Sequence, residues 1–68
     1  EIDFQNEALE RAIWNLSDRD RYVLFARILE ERSYEELSKE LGIAYKGVAA
    51  AYIRAIKKIR KEIEGSDK

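Results

Sequence analysis

An all-α fold of four helices is what this sequence predicts, and three observations carry that expectation. Proline is absent, and only Gly42, Gly47 and Gly65 punctuate the 68 residues. The composition is rich in Ala, Leu, Ile, Glu, Lys and Arg, which suit helices apart from β-branched Ile, a middling former. Apolar residues recur at spacings of three, four and seven, and no alternating stretch is long enough for a strand, so no β-wing is expected. A chain of this length makes one domain, 1–68, which buries a smaller share of its surface than a large domain and is modestly stable.

The first helix is expected over residues 3–16, where Leu9, Ala12, Ile13 and Leu16 share one face. Trp14 lies beside that face. Ser17 is a good N-cap, and Asp18 and Asp20 suit the positive end of a helix dipole, so a second helix begins there. It is expected over 18–31, with Val23, Leu24, Ile28 and the stem of Arg27 inward. Phe25 and Leu29 make it broadly apolar, which leaves part of its surface for a partner. Ser33 followed by Glu36 matches a capping box and opens a third helix over 34–41, with Leu37 and Leu41 inward. Gly42 stands where a helix often ends in a left-handed turn, and Ile43 follows as an apolar plug. The fourth helix is expected over 45–64. Its inward face is Val48, Tyr52, Ala55, Ile56, Ile59 and Ile63, and 66–68 form a tail.

A short helix, a tight turn containing one glycine and a second helix make a helix-turn-helix. Here the pieces are 34–41, Gly42 to Ala44 and the fourth helix, whose start is then exposed and fits a major groove about 12 Å wide. The charge distribution agrees. Residues 1–40 carry eleven acids and six bases, whereas 41–68 carry seven bases and three acids, so the overall −1 conceals a basic C-terminal half. From Ala44 to Lys61 there are six basic residues and no acid. An ordinary solvated helix face looks similar in charge alone; the turn beside it decides for nucleic acid, because Lys and Arg on phosphate supply most sequence-independent affinity.

The stretch from Leu16 to Arg60 resembles region four of the bacterial sigma factors of the sigma-70 family. The resemblance rests on Leu16-Ser17, Arg21, the apolar run Val23 to Leu29 and Ser33-Tyr34-Glu35-Glu36-Leu37. It continues through Leu41-Gly42-Ile43, Val48, Arg54-Ala55 and Lys57-Lys58-Ile59-Arg60. It covers about two thirds of the chain in one register, and its helix-turn-helix part is the more specific.

The resemblance implies a domain that reads a promoter element near position −35 on double-stranded DNA. It also implies docking on the β flap of RNA polymerase, with anti-sigma proteins or activators as further partners. On that reading Tyr45, Lys46, Ala49 and Ala50 face base edges, Arg54, Lys57 and Lys58 meet phosphate, and Ser33 and Tyr34 lie near the backbone. Three departures weaken direct readout. Ala44 replaces a capping Ser or Thr, a difference of about 1 kcal/mol. Gly47 stands where Thr is common and costs about 0.5–1 kcal/mol relative to Ala within a helix. Ala49 to Ala51 replace Lys, Arg or Gln, so thymine methyls replace bidentate contacts as the available targets.

Tyr52 is expected in the core. Trp14, Tyr22 and Phe25 are expected as core or cover, with a docking patch for polymerase as the alternative. Arg11 and Arg21 are expected in surface ion pairs that contribute little. The pairs Glu30-Glu31 and Glu35-Glu36 read as solvated surface, since catalytic acids need a pocket. With no His, no Cys and no glycine-rich phosphate loop, neither an enzyme, a cofactor nor a metal site is expected. The lack of cysteine fits the bacterial cytoplasm. No run approaches the roughly 20 apolar residues of a membrane span. A start at Glu1 suggests a piece of a longer protein, and no stripe is long enough for a coiled coil, so a monomer is expected. Two alternatives are a helix-turn-helix derivative that binds protein with little base reading, and a response-regulator-type DNA-binding domain. Ser-Tyr-Glu-Glu and Arg-Ala favour the sigma reading over the latter.

Overall fold

The computed structural model describes residues 7–65 as four helices. They are α1 (Glu7–Trp14), α2 (Asp18–Ile28), α3 (Tyr34–Leu41) and α4 (Tyr45–Gly65). Residues 3–6 of the expected first helix, and the expected tail 66–68, lie outside the described residues. The helix also stops two residues early. Asn15 still bonds back to the Arg11 carbonyl, but the Leu16 N–H tightens onto Ile13 at 3.2 Å, which drops the Leu16 side chain into the core.

Arg21 holds that end in place. Its Nε–H donates to the Ile13 carbonyl at 3.2 Å, and Nη2 donates to Trp14 at 3.2 Å and Leu16 at 2.9 Å. The last carbonyls of a helix have no partner within it, so the guanidinium caps Trp14 and, just beyond the helix, Leu16, and gives Ile13, which already accepts the Leu16 N–H, a second bond. The guanidinium also lies 5.0 Å from the Trp14 ring centroid. The expected surface ion pair is present, Arg21 to Asp18 at 3.2 Å, and the same side chain also caps α1.

Ser17 caps α2 as expected, its Oγ accepting the Asp20 N–H at 3.2 Å. The helix ends at Ile28, three residues before the expected limit. Glu31 takes φ +55°, the Arg32 N–H reaches the Ala26 carbonyl at 3.0 Å, and Arg27 donates to the Arg32 carbonyl at 2.7 Å. Those bonds fold the chain back so that Ser33 can start α3. The capping box then forms both ways: Glu36 N–H to Ser33 Oγ at 3.0 Å and Ser33 N–H to Glu36 Oε1 at 2.9 Å. Gly42 closes α3 at φ +68°, its N–H on the Ser38 carbonyl at 2.9 Å.

The core has two joined parts. Val23, Ala26, Leu37, Val48 and Ala51 form one, with Tyr34, Leu41, Ile43 and Tyr52 packed around it. Leu16, Leu24 and Ala55 form the other, with Tyr52, Ile56 and Ile59 alongside. Tyr52 bridges the two, in keeping with its expected core place. Each of the larger buried side chains, Leu37, Val23 and Val48, contributes about 1.5–3 kcal/mol. Alanines 26, 51 and 55 let α2 and α4 approach closely. One inward assignment changes, since Ile28 is exposed, and Ala51, expected among the alanines open to thymine methyls, is fully buried. The phase set by Val48 and Ala55 turns Ala51 inward. No helix of the described residues is long and apolar enough to cross a membrane.

Candidate nucleic-acid interface

Because Gly42 supplies the left-handed turn and Ile43 packs into the core, α4 starts at an exposed corner. The 3.6-residue period places Lys46, Ala50, Ile53 and Lys57 on one line opposite the buried Val48, Ala51 and Ala55. All four side chains are exposed. Lys46 and Lys57 are separated by about 16 Å along the axis, eleven residues at roughly 1.5 Å each. Lys58, Arg60 and Lys61 are exposed as well. No acidic side chain lies on α4 before Glu62, so this surface repels no phosphate.

The other expected contact residues fall as follows. Ala49 is half-buried and Ala50 exposed. Ser33 is exposed; its oxygen is occupied as a cap, yet the hydroxyl retains its own hydrogen to donate. Tyr34 is half-buried and acts as a floor. Its ring covers the Arg27 guanidinium at 4.6 Å and meets Tyr45 edge-on at 5.5 Å. Tyr45, exposed at the first residue of α4, is thereby held by an aromatic contact of the favoured perpendicular kind.

Arg54 is half-exposed (53% of its side chain) and engaged. Its Nε–H donates to Asp20 Oδ2 at 2.8 Å and its Nη2 to Oδ1 at 2.9 Å. Asp20 itself is only 2% exposed. The Arg54 hydrogen bonds hold the Asp20 carboxyl below the usual carboxylate range, burial opposes them, and the Arg54 charge, Ser17 and Lys58 add to the lowering. With two of its five N–H donors on Asp20, the half-exposed Arg54 guanidinium has three more that these bonds do not use. Sequence reasoning placed Asp20 only as a favourable charge at the start of α2; nothing local signals a partner 34 residues away.

Comparison with known proteins completes the description. The family model for Sigma-70, region 4 matches residues 6–59. The chain belongs to the sigma-70 region 4 family. No curated protein and no solved structure matches it. Region 4 is a DNA-binding helix-turn-helix domain of sigma factors, which act in transcription, and it is not an enzyme family.

This region 4 domain has a second exposed surface. Leu9, Ile13, Trp14 and Phe25 line a groove of about 220 Å³ between α1 and α2, flanked by Glu10 and Arg21. A neighbouring groove shares Arg21 and Phe25 and adds Tyr22, Ala26, Asp18 and Glu30. No α4 residue lines either one. Trp14 is 66% exposed, and Tyr22, Phe25 and Leu29 are exposed too. Of the core or cover roles expected for Trp14, Tyr22 and Phe25, core is corrected: all three are exposed and lie over the α1–α2 surface. Tyr22 is fixed at its hydroxyl, which donates to Glu40 across to α3, and Arg32 pairs with the same carboxylate.

Proposed function

We propose that this domain reads a promoter element near −35 through α4 and docks on the RNA polymerase β flap through the α1–α2 grooves. The observation that carries the first half is the exposed, acid-free line of Lys46, Ala50, Ile53 and Lys57 at the helix-turn-helix corner. Lys46 and Tyr45 sit at the helix start, where groove-entering helices contact base edges. Lys57, Lys58 and the remaining donors of Arg54 meet phosphate, while Ser33 and Tyr34 lie beside the backbone. The setting is the bacterial cytoplasm, and the domain acts as a monomer within a larger initiation protein.

Three phosphate contacts, from Arg54, Lys57 and Lys58, give a salt slope of about −2.7, so affinity falls roughly 40-fold between about 50 and 200 mM salt. Fluorescence anisotropy on a labelled duplex carrying a −35-like element, beside a scrambled one, measures this. Lys57→Ala should weaken both duplexes alike and flatten the slope, whereas Lys46→Ala should reduce the preference between them. Absence of binding at low salt refutes the DNA reading.

The docking half rests on the exposed Trp14 beside an apolar groove. A flap peptide should change Trp14 fluorescence, and Phe25→Ala should abolish that change. Anti-sigma proteins or activators are expected to compete for the same face. A purely protein-binding role, favoured by that apolar face, predicts the fluorescence change with little salt dependence and no duplex binding.

A further inference from the structure

The outward line of α4 is cationic at its ends and apolar in its middle. Between Lys46 and Lys57 its outermost positions hold Ala50 and Ile53, and Ile53 is 51% exposed. From Gly47 to Ile53 the only side-chain hydrogen-bonding group is the Tyr52 hydroxyl, on a ring packed against both parts of the core. Neither outward residue in that stretch can donate to or accept from a base. The major-groove feature that an apolar side chain recognises by contact is the C5 methyl of thymine.

We infer that Ala50 and Ile53 read thymine methyl groups, so that the middle of this surface, beyond Lys46, is specific for C5-methylated pyrimidines rather than for a hydrogen-bonding pattern. The inference rests on the DNA reading above and deepens it. Ala50 and Ile53 are separated by about 4.5 Å along α4, close to the rise of about 3.4 Å between successive bases on a strand. The two methyls therefore belong to neighbouring base pairs. One turn beyond on either side, Lys57 sets the register on phosphate and Lys46 keeps its contact with a base edge. Desolvating one methyl against a side chain is worth about fourfold in affinity, and two are worth roughly fifteenfold.

The test uses the full chain. Duplexes are selected from a randomised pool, and the best are remade with deoxyuridine for thymine, which removes the C5 methyl and leaves base pairing intact. Binding should weaken by about fourfold at one contacted position and roughly fifteenfold at two adjacent ones. Replacing the deoxyuridine by 5-methylcytosine, paired with guanine, should restore part of the loss. Ile53→Ala keeps a good helix former at an exposed position. It should still bind, yet lose only about fourfold on deoxyuridine substitution. Circular dichroism confirms that it folds. Salt-sensitive binding that is indifferent to deoxyuridine, or selected duplexes without adjacent thymines, overturns this inference and leaves the DNA reading intact. Failure to enrich any duplex, with no binding at low salt, overturns both.

Discussion

Asp20→Asn tests the tie between α2 and α4. The carboxylate is 2% exposed and accepts two bonds from Arg54, at 2.8 and 2.9 Å. Bonds of this charge-assisted kind contribute about 1.5–3 kcal/mol net. Asparagine keeps one oxygen as an acceptor, and the half-exposed guanidinium regains water, so the lower end applies: about 1.5 kcal/mol. In a domain of this size each kcal/mol moves Tm by about 4–8 °C, which gives a fall of about 6–12 °C in thermal unfolding followed by circular dichroism. The pH dependence has a definite sign. The folded chain holds the Asp20 carboxyl below its ordinary value. Its stabilisation is complete above the unfolded pKa of about 3.9 and is lost as pH falls through the lower folded value. The gap between the parent and Asp20→Asn is therefore constant near pH 7 and closes in strong acid. A gap below about 0.5 kcal/mol, the range of neutral surface changes, refutes the argument, as does a gap that survives acid. DNA binding separates the two roles of Arg54: Asp20→Asn frees donors and retains affinity, whereas Arg54→Ala loses both stability and affinity.

Three further outcomes follow from the local geometry. Arg21→Met leaves the Trp14 and Leu16 carbonyls without their cap and removes one of two bonds to Ile13, so it should cost about 2 kcal/mol and speed amide exchange in α1 before the rest of the domain. The two glycines should respond with opposite signs in urea unfolding. Gly42→Ala strains a φ of +68° by about 1–2 kcal/mol, while a Cβ at Gly47 meets Ile43 Cδ1 at an ordinary 3.7 Å and Gly47→Ala gains about 0.5–1 kcal/mol. Ala44→Ser adds the missing cap of α4 and should raise stability by about 1 kcal/mol, read as a higher urea midpoint.

The features legible in the sequence are those whose partners lie within one turn. Ser17 and its Asp20 N–H, the Ser33–Glu36 box and Gly42 all obey rules of i to i+3 or i+4, and each appears where expected. The end of α2 was hidden because no glycine marks it: Glu31 takes a left-handed backbone imposed by bonds from Arg32 and Arg27. Arg21 and Arg54 were visible as charges, but their acceptors lie five to 34 residues away, where spacing carries no information. Ala51 was misplaced because three successive alanines show no contrast; the phase of Val48 and Ala55 contained the answer. Trp14 misled in the other direction, since apolar size argues for burial and the short α1 buries only its alanines. The weight of Ile53 in the site emerged only with its exposure between two lysines.

Every extensive helix–helix contact among the described residues involves α4. One face of a single helix thus holds the domain together, and the opposite face is the surface proposed to meet DNA. Folding and binding then form one linked equilibrium. A duplex that binds only the folded chain stabilises all four helices at once, by about 2.7 kcal/mol at a hundredfold excess over Kd. The linkage also runs the other way. A substitution deep in the core, remote from any base, lowers apparent affinity by the fraction of molecules it unfolds, so duplex occupancy registers the stability of the whole chain.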